Sequence, residues 1–182
     1  QFLANWYDKL HRKVHEANYG NNNDSDMTSR PTGNPPSSSG SDYLVAKYSY
    51  KVKGETQDSP PVPAKAMVEK TDPMGILYHT DYDDPGRVVK EVANYSDGTP
   101  GPGTDVDRAI EREFNGLNQI AKITAKSCCT DPIKDQITEN VYGVVRGTDN
   151  SLITSNDLLK QIKHPDPSTG QPSTSAVDHE FF

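Results

Sequence analysis

The large aliphatic side chains are so unevenly distributed that they decide which parts of this chain can fold. Only 33 of the 182 residues are Leu, Ile, Val or Phe, and residues 20–42 contain none of them. A segment without such side chains buries too little apolar surface to offset the entropy lost on ordering. We therefore expect residues 20–42 to form a polar loop or linker, residues 43–165 to form the core domain, and residues 166–182 to form a C-terminal tail.

The charge of the chain argues against nucleic acid as a partner. Lys and Arg total 19 and Asp and Glu total 26, which gives a net charge of −7. The acidic residues concentrate between residues 71 and 107, where Arg87 and Lys90 are the only basic residues. Nucleic-acid binding depends mainly on basic residues that neutralise phosphates. No apolar run approaches the roughly 18 residues that a membrane span requires, so we expect no span in this chain.

The first 19 residues carry apolar side chains at helical spacing. The steps between them are 3, 4, 4 and 3, which is the period of one helix face, and the residues are Leu3, Trp6, Leu10, Val14 and Ala17. Gly20 follows as a C-terminal stop signal. The pattern predicts an amphipathic N-terminal helix over residues 1–19.

A longer stripe of the same period occupies the second half of the chain. Its members are Val106, Ile110, Phe114, Leu117 and Ala121. Thr104 and Asp107 resemble a capping box at its start, so the pattern predicts a long helix over residues 104–126. A third, short helix is predicted over residues 155–163, between Ser155 and Pro165.

Strand patterns lie before and after the long stripe. Residues 43–54 alternate between apolar and polar side chains, which is typical of an antiparallel strand over a core. Shorter strands are predicted at 65–70, 75–80 and 87–95, and a hairpin is predicted at 141–154 with its turn at 147–150. No internal repeat is apparent.

The predicted fold class is α+β. An antiparallel sheet of four to six strands is covered by one long helix, with the amphipathic N-terminal helix joined to it through a long polar loop. The order of these elements resembles that of pilin-like subunits, a resemblance of architecture that implies no residue roles.

Two clusters are candidate metal sites. Asp81, Asp83 and Asp84 place three carboxylates within four residues, and carboxylate oxygens are ligands that Ca²⁺ prefers. A solvated acidic turn before Pro85 is the favoured interpretation. We therefore expect no cofactor, with calcium at this turn as the alternative. His11 and His15 would share one face of the predicted first helix, where solvated side chains are commoner than a metal site.

Cys128 and Cys129 are the only cysteines of the chain and are adjacent. They could form a strained ring with each other, remain ordinary thiols, bridge to other chains, or bind a metal. The chain begins at Gln1 without an initiator Met, which we interpret as removal of a leader, so we expect an extracellular or cell-surface location. Because disulfides form in that environment and the chain offers no third cysteine, bridges to other chains are the favoured state.

The sequence contains no strong catalytic motif, so a non-enzymatic role is favoured over an enzyme. We expect a structural subunit of an exported assembly, such as a pilus, fibre, surface layer or virion shell, which binds other copies of itself or related subunits. The alternative is a secreted binding or adhesion module stabilised by calcium.

Overall fold

A computed structural model describes residues 2–20, 33–41, 43–50, 66–96, 106–127, 135–149, 151–174 and 179–181. Over these ranges the chain forms strands and turns and no helix, so nothing described here is a helix that could cross a membrane. The predicted α+β class is therefore wrong, because the described part is all-β. Its strands are β1 Leu3–Tyr7, β2 Lys13–Asn18, β3 Leu44–Tyr50, β4 Met67–Thr71, β5 Leu77–Tyr82, β6 Val88–Ala93, β7 Arg108–Phe114, β8 Ile120–Ala125, β9 Gln136–Val144, β10 Ser155–Lys163 and β11 His179–Glu180.

The first compact unit comprises Gln1–Arg87 and Ala93–Tyr95. Its strands β1 to β5 follow one another in chain order, and each pairs antiparallel with the next. Its buried apolar side chains are small and belong to β2, β3 and β4: Ala17, Val45, Ala46 and Val68. Antiparallel meanders of this kind need only short connections and one covered face.

The second compact unit comprises Val88–Val92 and Ser96–Phe182. Strands β7 to β11 again pair antiparallel in chain order. Val92 on β6, Ala109 on β7 and Val144 on β9 are almost fully buried. The unit thus uses the same meander as the first, with a similarly small apolar core.

The predicted N-terminal helix is a β-hairpin instead. Strand β1 pairs with β2 in a register that sets Leu3 opposite Asn18 and Trp6 opposite His15. Two members of the supposed helix face are largely exposed, since Leu3 is 48% and Leu10 is 60% exposed. Leu10 lies in the turn between the two strands. The apolar residues on either side of it therefore belong to different strands and do not share one helix face.

The predicted long helix is also a hairpin, formed by β7 and β8. Ile110 is 42% exposed whereas its neighbour Ala109 is 3% exposed, which is the reverse of what the helical stripe required. The chain reverses at Asn115–Gly116, and Asn-Gly is among the strongest hairpin signals in a sequence. The third predicted helix, residues 155–163, is strand β10. The resemblance to pilin-like subunits depended on the long helix and does not hold.

The predicted strands are confirmed. Residues 43–54 and 87–95 contain β3 and β6, whereas the ranges 65–70 and 75–80 overlap β4 and β5, which end one and two residues later than predicted. A hairpin does form around the turn predicted at 141–154, but its strands extend beyond that range: β9 ends at Val144 and β10 begins at Ser155, so residues 151–154 lie in the connection. Within that connection the Gly147 N–H donates a backbone hydrogen bond to the Ser151 carbonyl. The domain boundaries predicted from the sequence stay predictions.

One turn design closes four of the hairpins. In each, the side-chain Oδ1 of an Asp or Asn accepts a hydrogen bond from the backbone N–H four residues later, at 2.8 to 3.0 Å, and these turns begin at Asp8, Asp72, Asp83 and Asn115. The backbone N–H of the same Asp or Asn also donates a hydrogen bond to the backbone carbonyl of the residue four positions later. Side chains of this type mimic a backbone turn. The chain therefore contains an internal repeat that the sequence analysis missed.

The fourth residue of each turn has a left-handed backbone. Its φ is 60° at His11, 85° at Gly75, 93° at Gly86 and 65° at Asn118. Glycine adopts this conformation freely, and Asn and His tolerate it better than other residues. Because two of the four positions are not glycine, the repeat is hidden from a search for glycine at fixed spacing.

Candidate functional site

The three predicted calcium ligands lie in three different settings. Asp81 is on β5, Asp83 begins the turn after β5, and Asp84 is exposed at the tip of that turn. Asp83 accepts hydrogen bonds from the backbone N–H of Arg87 at 2.8 Å and from its Nε at 2.6 Å. We call Asp81, Asp83 and Asp84 together the acidic turn.

Asp83 is already paired with a cation of this chain. Burial acts to raise its pKa, but the hydrogen bonds and the charge of Arg87 outweigh this effect and hold the pKa of Asp83 below its ordinary value. A calcium ion would have to compete with this guanidinium. Within the described ranges, no three His, Cys, Asp or Glu side chains form a group suited to a metal ion. Calcium at the acidic turn stays a prediction.

Asp81 belongs to a different cluster, centred on His79. Its Oδ1 lies 3.0 Å from His79 Nε2, and Glu69 Oε1 lies 3.7 Å from His79 Nδ1. Register sets Glu69 on β4 opposite His79 on β5, and Asp81 is two residues further along the same face. The imidazole stacks on the ring of Tyr95, with 4.6 Å between ring centroids. We call Glu69, His79, Asp81 and Tyr95 the histidine cluster.

The histidine cluster favours the charged imidazolium. The hydrogen bond to Asp81 raises the pKa of His79, burial opposes this shift, and the charges of Asp81 and Glu69 add to it. The His79 side chain is 23% exposed, so solvent screens these charges only in part. The imidazole of His79 therefore keeps its proton to a higher pH than a free imidazole does.

Among the described residues, no nucleophilic group is bonded to the imidazole of the histidine cluster. A nucleophilic site needs a hydroxyl or thiol within hydrogen-bond reach of the base. In the part of the chain described here, the hydrogen bond of His79 is to Asp81 and no hydroxyl or thiol bonds to its ring. Among the described residues, the cluster thus combines one imidazole with two carboxylates and a stacked tyrosine ring.

His11 and His15 are not brought onto one helix face, since no helix forms there. His11 is exposed in the first turn, and His15 lies on β2 between Trp6 on β1 and Lys47 on β3. Burial and then the charge of Lys47 lower the pKa of His15. A shared metal ion was predicted because both histidines would lie on one helix face. They lie instead in a turn and on a strand, so that argument no longer applies.

Asp107, which the sequence pattern placed in a helix cap, has a structural role that the pattern did not indicate. It is 1% exposed and has a φ of 53°. Its carboxylate accepts hydrogen bonds from Ser96, at 2.7 Å from the backbone N–H and 2.6 Å from the hydroxyl. A buried carboxylate in a strained backbone conformation needs strong local support. Asp107 therefore connects the segment that leads into β7 with Ser96, three residues after the end of β6.

The second unit also carries ion pairs between side chains that lie on neighbouring strands or just beyond their ends. Each joins side chains of opposite charge, at nitrogen–oxygen distances of 2.5 to 3.9 Å, and the pairs are Glu91–Arg112, Lys90–Glu111, Glu113–Lys122, Glu111–Lys126, Lys126–Asp135 and Glu139–Lys163. Opposite charges facing each other across strands favour one register over its alternatives. These pairs are partly exposed, so each contributes little to stability by itself.

Cys128 and Cys129 lie outside the described residues, so their state stays a prediction. No protein-family model matches this sequence, and no curated protein matches it significantly.

Proposed function

We propose that this protein is a non-enzymatic structural subunit of an exported assembly and that it binds other copies of itself or related subunits. The observation that carries the proposal is the hairpin turn used four times, at Asp8, Asp72, Asp83 and Asn115. Proteins built from repeated units bury their core by stacking neighbours, and they present extended surfaces for association.

The ion pairs between strands support the same proposal. They cover the sheet of the second unit with charges that are satisfied within the chain. Such a surface is suited to holding the strands of the unit in one register. The extracellular location stays part of the proposal.

The test is the size of the protein in its native setting. We expect a native extract, fractionated by size, to contain this chain in complexes several times its 20.0 kDa mass. Non-reducing electrophoresis with free thiols blocked beforehand should show covalent multimers if Cys128 and Cys129 bridge to other chains. A 20 kDa species in both measurements would contradict the proposal, and alkylation of both cysteines would also contradict the extracellular location.

One observation favours a binding or adhesion module as the second candidate. The third residue of three of the repeated turns is apolar and exposed: Leu10 at 60%, Met74 at 85% and Leu117 at 56%. Binding residues are found disproportionately on loops that a rigid scaffold holds in place. A monomeric chain in the native extract, in a complex with an unrelated protein that is lost when Leu10, Met74 and Leu117 become Ser, would favour this candidate.

A further inference from the structure

The turn between β7 and β8 differs chemically from the other three repeated turns. Its first residue is Asn115, whereas the others begin with Asp8, Asp72 and Asp83. The negative charge of a carboxylate resists attack by a nucleophile, whereas the carbon of a neutral amide can be attacked by a neighbouring backbone nitrogen and release ammonia. Asn is a thermolabile residue for this reason. Among the first residues of the four turns, only Asn115 carries such an amide.

The residue that follows Asn115 favours this attack. It is Gly116, and the pair is the only Asn-Gly in the sequence. Glycine has no side chain to hinder its own nitrogen, and its backbone rotates more freely than that of any other residue. Gly116 is exposed, and an added Cβ would meet nothing within 4 Å. Over the described ranges, its N–H donates no hydrogen bond to another backbone group.

We propose that Asn115 is a site of spontaneous deamidation and that the turn between β7 and β8 controls the rate. The Gly116 nitrogen forms a bond to Asn115 Cγ and gives up its proton, and the Cγ–Nδ2 bond breaks, so that Nδ2 leaves with this proton as ammonia. Water then hydrolyses the cyclic imide. Cleavage between the nitrogen and Cγ leaves an aspartate, and cleavage on the backbone side leaves an isoaspartate. This inference goes beyond the proposed function and does not depend on it.

Three hydrogen bonds restrain the reacting amide in the folded turn. Asn115 Oδ1 accepts from the backbone N–H groups of Leu117 and Gln119, both at 3.0 Å, and Asn115 Nδ2 donates to Gln119 Oε1 at 2.7 Å. Ring closure moves Cγ towards the Gly116 nitrogen and pulls the amide out of this arrangement, so the turn must open first. Three ordinary hydrogen bonds correspond to a reaction about 30-fold slower in the folded chain than in the unfolded chain.

The turn can accommodate the aspartate product. At Asp8, Asp72 and Asp83, a carboxylate Oδ1 accepts the same hydrogen bond from the backbone N–H four residues later. Isoaspartate instead adds a methylene group to the backbone. This displaces the carbonyl of Asn115, which accepts a hydrogen bond from the Asn118 N–H at 3.0 Å. We therefore expect the aspartate to keep the hairpin and the isoaspartate to disrupt it.

The aspartate would lack a partner that two of the other turns provide. Arg12 and Arg87 donate from Nε to the Asp Oδ2 of their turns, at 2.7 and 2.6 Å. The corresponding residue here is Gln119, which presents its oxygen to Asn115 Nδ2. After deamidation two oxygens would face each other, unless the Gln119 amide rotates and gives up its hydrogen bond from Nε2 to the Asp157 carbonyl.

The test is peptide mapping by mass spectrometry after the full chain is incubated at mildly alkaline pH, with and without enough guanidinium chloride to unfold it. In the unfolded chain, Asn115 should deamidate fastest, ahead of Asn150, whose neighbour Ser151 is the next smallest. In the folded chain, the reaction at Asn115 should be about 30-fold slower. A faster reaction at another Asn of the unfolded chain would overturn the site, and equal rates in the two conditions would overturn the control by the turn.

Gly116→Ala is the matched control for the chemistry. It keeps the Asn115 amide and adds a methyl group to open space, at a position where φ is not positive, so the variant should fold. The methyl group hinders attack by the nitrogen, so deamidation of the unfolded variant should be several-fold slower than that of the unfolded native chain. Equal rates would overturn the role of Gly116.

Asn115→Asp reproduces the aspartate product and tests its fit to the turn. Amide hydrogen exchange should still show protection of the Asn118 and Gln119 N–H groups. Gln119→Arg should slow exchange at residue 119 several-fold more in the Asn115→Asp background than in the native chain, because only the carboxylate offers the arginine a counter-charge. Loss of protection at both amides in Asn115→Asp, or an equal effect of Gln119→Arg in both backgrounds, would overturn this account of the product.

Discussion

Replacement of Asp107 by alanine should strongly destabilise the second unit. The carboxylate is 1% exposed and accepts two hydrogen bonds from Ser96, at 2.7 and 2.6 Å. A hydrogen bond to a charged group contributes about 1.5 to 3 kcal/mol, and the lower value applies because Ser96 is itself exposed. Alanine also tolerates the φ of 53° less well than Asp, by about 1 kcal/mol. The expected loss for Asp107→Ala is therefore about 4 kcal/mol.

The matched variant Asp107→Asn separates the hydrogen bonds from the charge. The Asn side-chain oxygen can still accept from the Ser96 N–H, and the Ser96 hydroxyl can rotate to accept from the amide nitrogen. Asn also tolerates a left-handed backbone. We expect Asp107→Asn to lower the free energy of unfolding by about 1 to 2 kcal/mol, well below the alanine variant.

Urea denaturation followed by circular dichroism measures both variants. Ser96→Ala, alone and combined with Asp107→Ala, completes a double-mutant cycle. The second substitution should add little once the carboxylate is gone, since the two residues share one interaction. An Asp107→Ala variant within about 1 kcal/mol of the native protein, or an Asn variant as unstable as the Ala variant, would refute this reasoning.

Three further perturbations test other parts of the structure. His79 has a raised pKa in the folded state, so its protonation contributes to the free energy of unfolding fully below the unfolded pKa of about 6.5, and this contribution is lost as pH rises through the higher folded pKa. The urea midpoint of the native protein should therefore fall with rising pH over this range, and His79→Gln should remove that fall. The same pH dependence in both proteins would contradict the assignment of the histidine cluster. Gly75→Val should lower the free energy of unfolding by about 1 to 2 kcal/mol because of the positive φ alone, since nothing lies within 4 Å of the added Cβ. Gly75→Asn should lower it less, because Asn118 adopts a left-handed conformation in an equivalent turn. Equal losses for the two variants in urea denaturation would contradict the turn assignment. Millimolar calcium should raise the thermal midpoint if the acidic turn binds it, and no shift would leave that turn as solvated surface.

The strands were predictable where side chains alternate without interruption. Residues 43–54 show a period of two, which no helix produces, and β3 lies there. The helical stripe over residues 104–126 was misleading because its main steps are four residues, an even number. Side chains at Ile110 and Phe114 therefore share a face in a strand as well as in a helix. Asn115–Gly116 in the middle of the stripe was the local signal that distinguished the two readings.

The first hairpin offered no such signal. Its turn contains no glycine, and the left-handed position is filled by His11. The signal was available only by comparison within the chain, since Tyr7-Asp8 and Arg12 recur with the same spacing as Tyr82-Asp83 and Arg87. In both copies the Arg Nε bonds to the Asp carboxylate, at 2.7 and 2.6 Å.

The histidine cluster could not be predicted, because it depends on strand register. Glu69 and His79 are ten residues apart in sequence and meet because β4 and β5 pair with these two residues opposite each other. The turn at Asp72 fixes that register through its hydrogen bonds to the N–H groups of Met74 and Ile76. A slip of one residue would turn His79 to the other face and set Tyr78 opposite Glu69. The turn at Asp72 therefore determines that Glu69 lies opposite His79. Through this register, the turn contributes to the raised pKa of His79 without contacting its side chain.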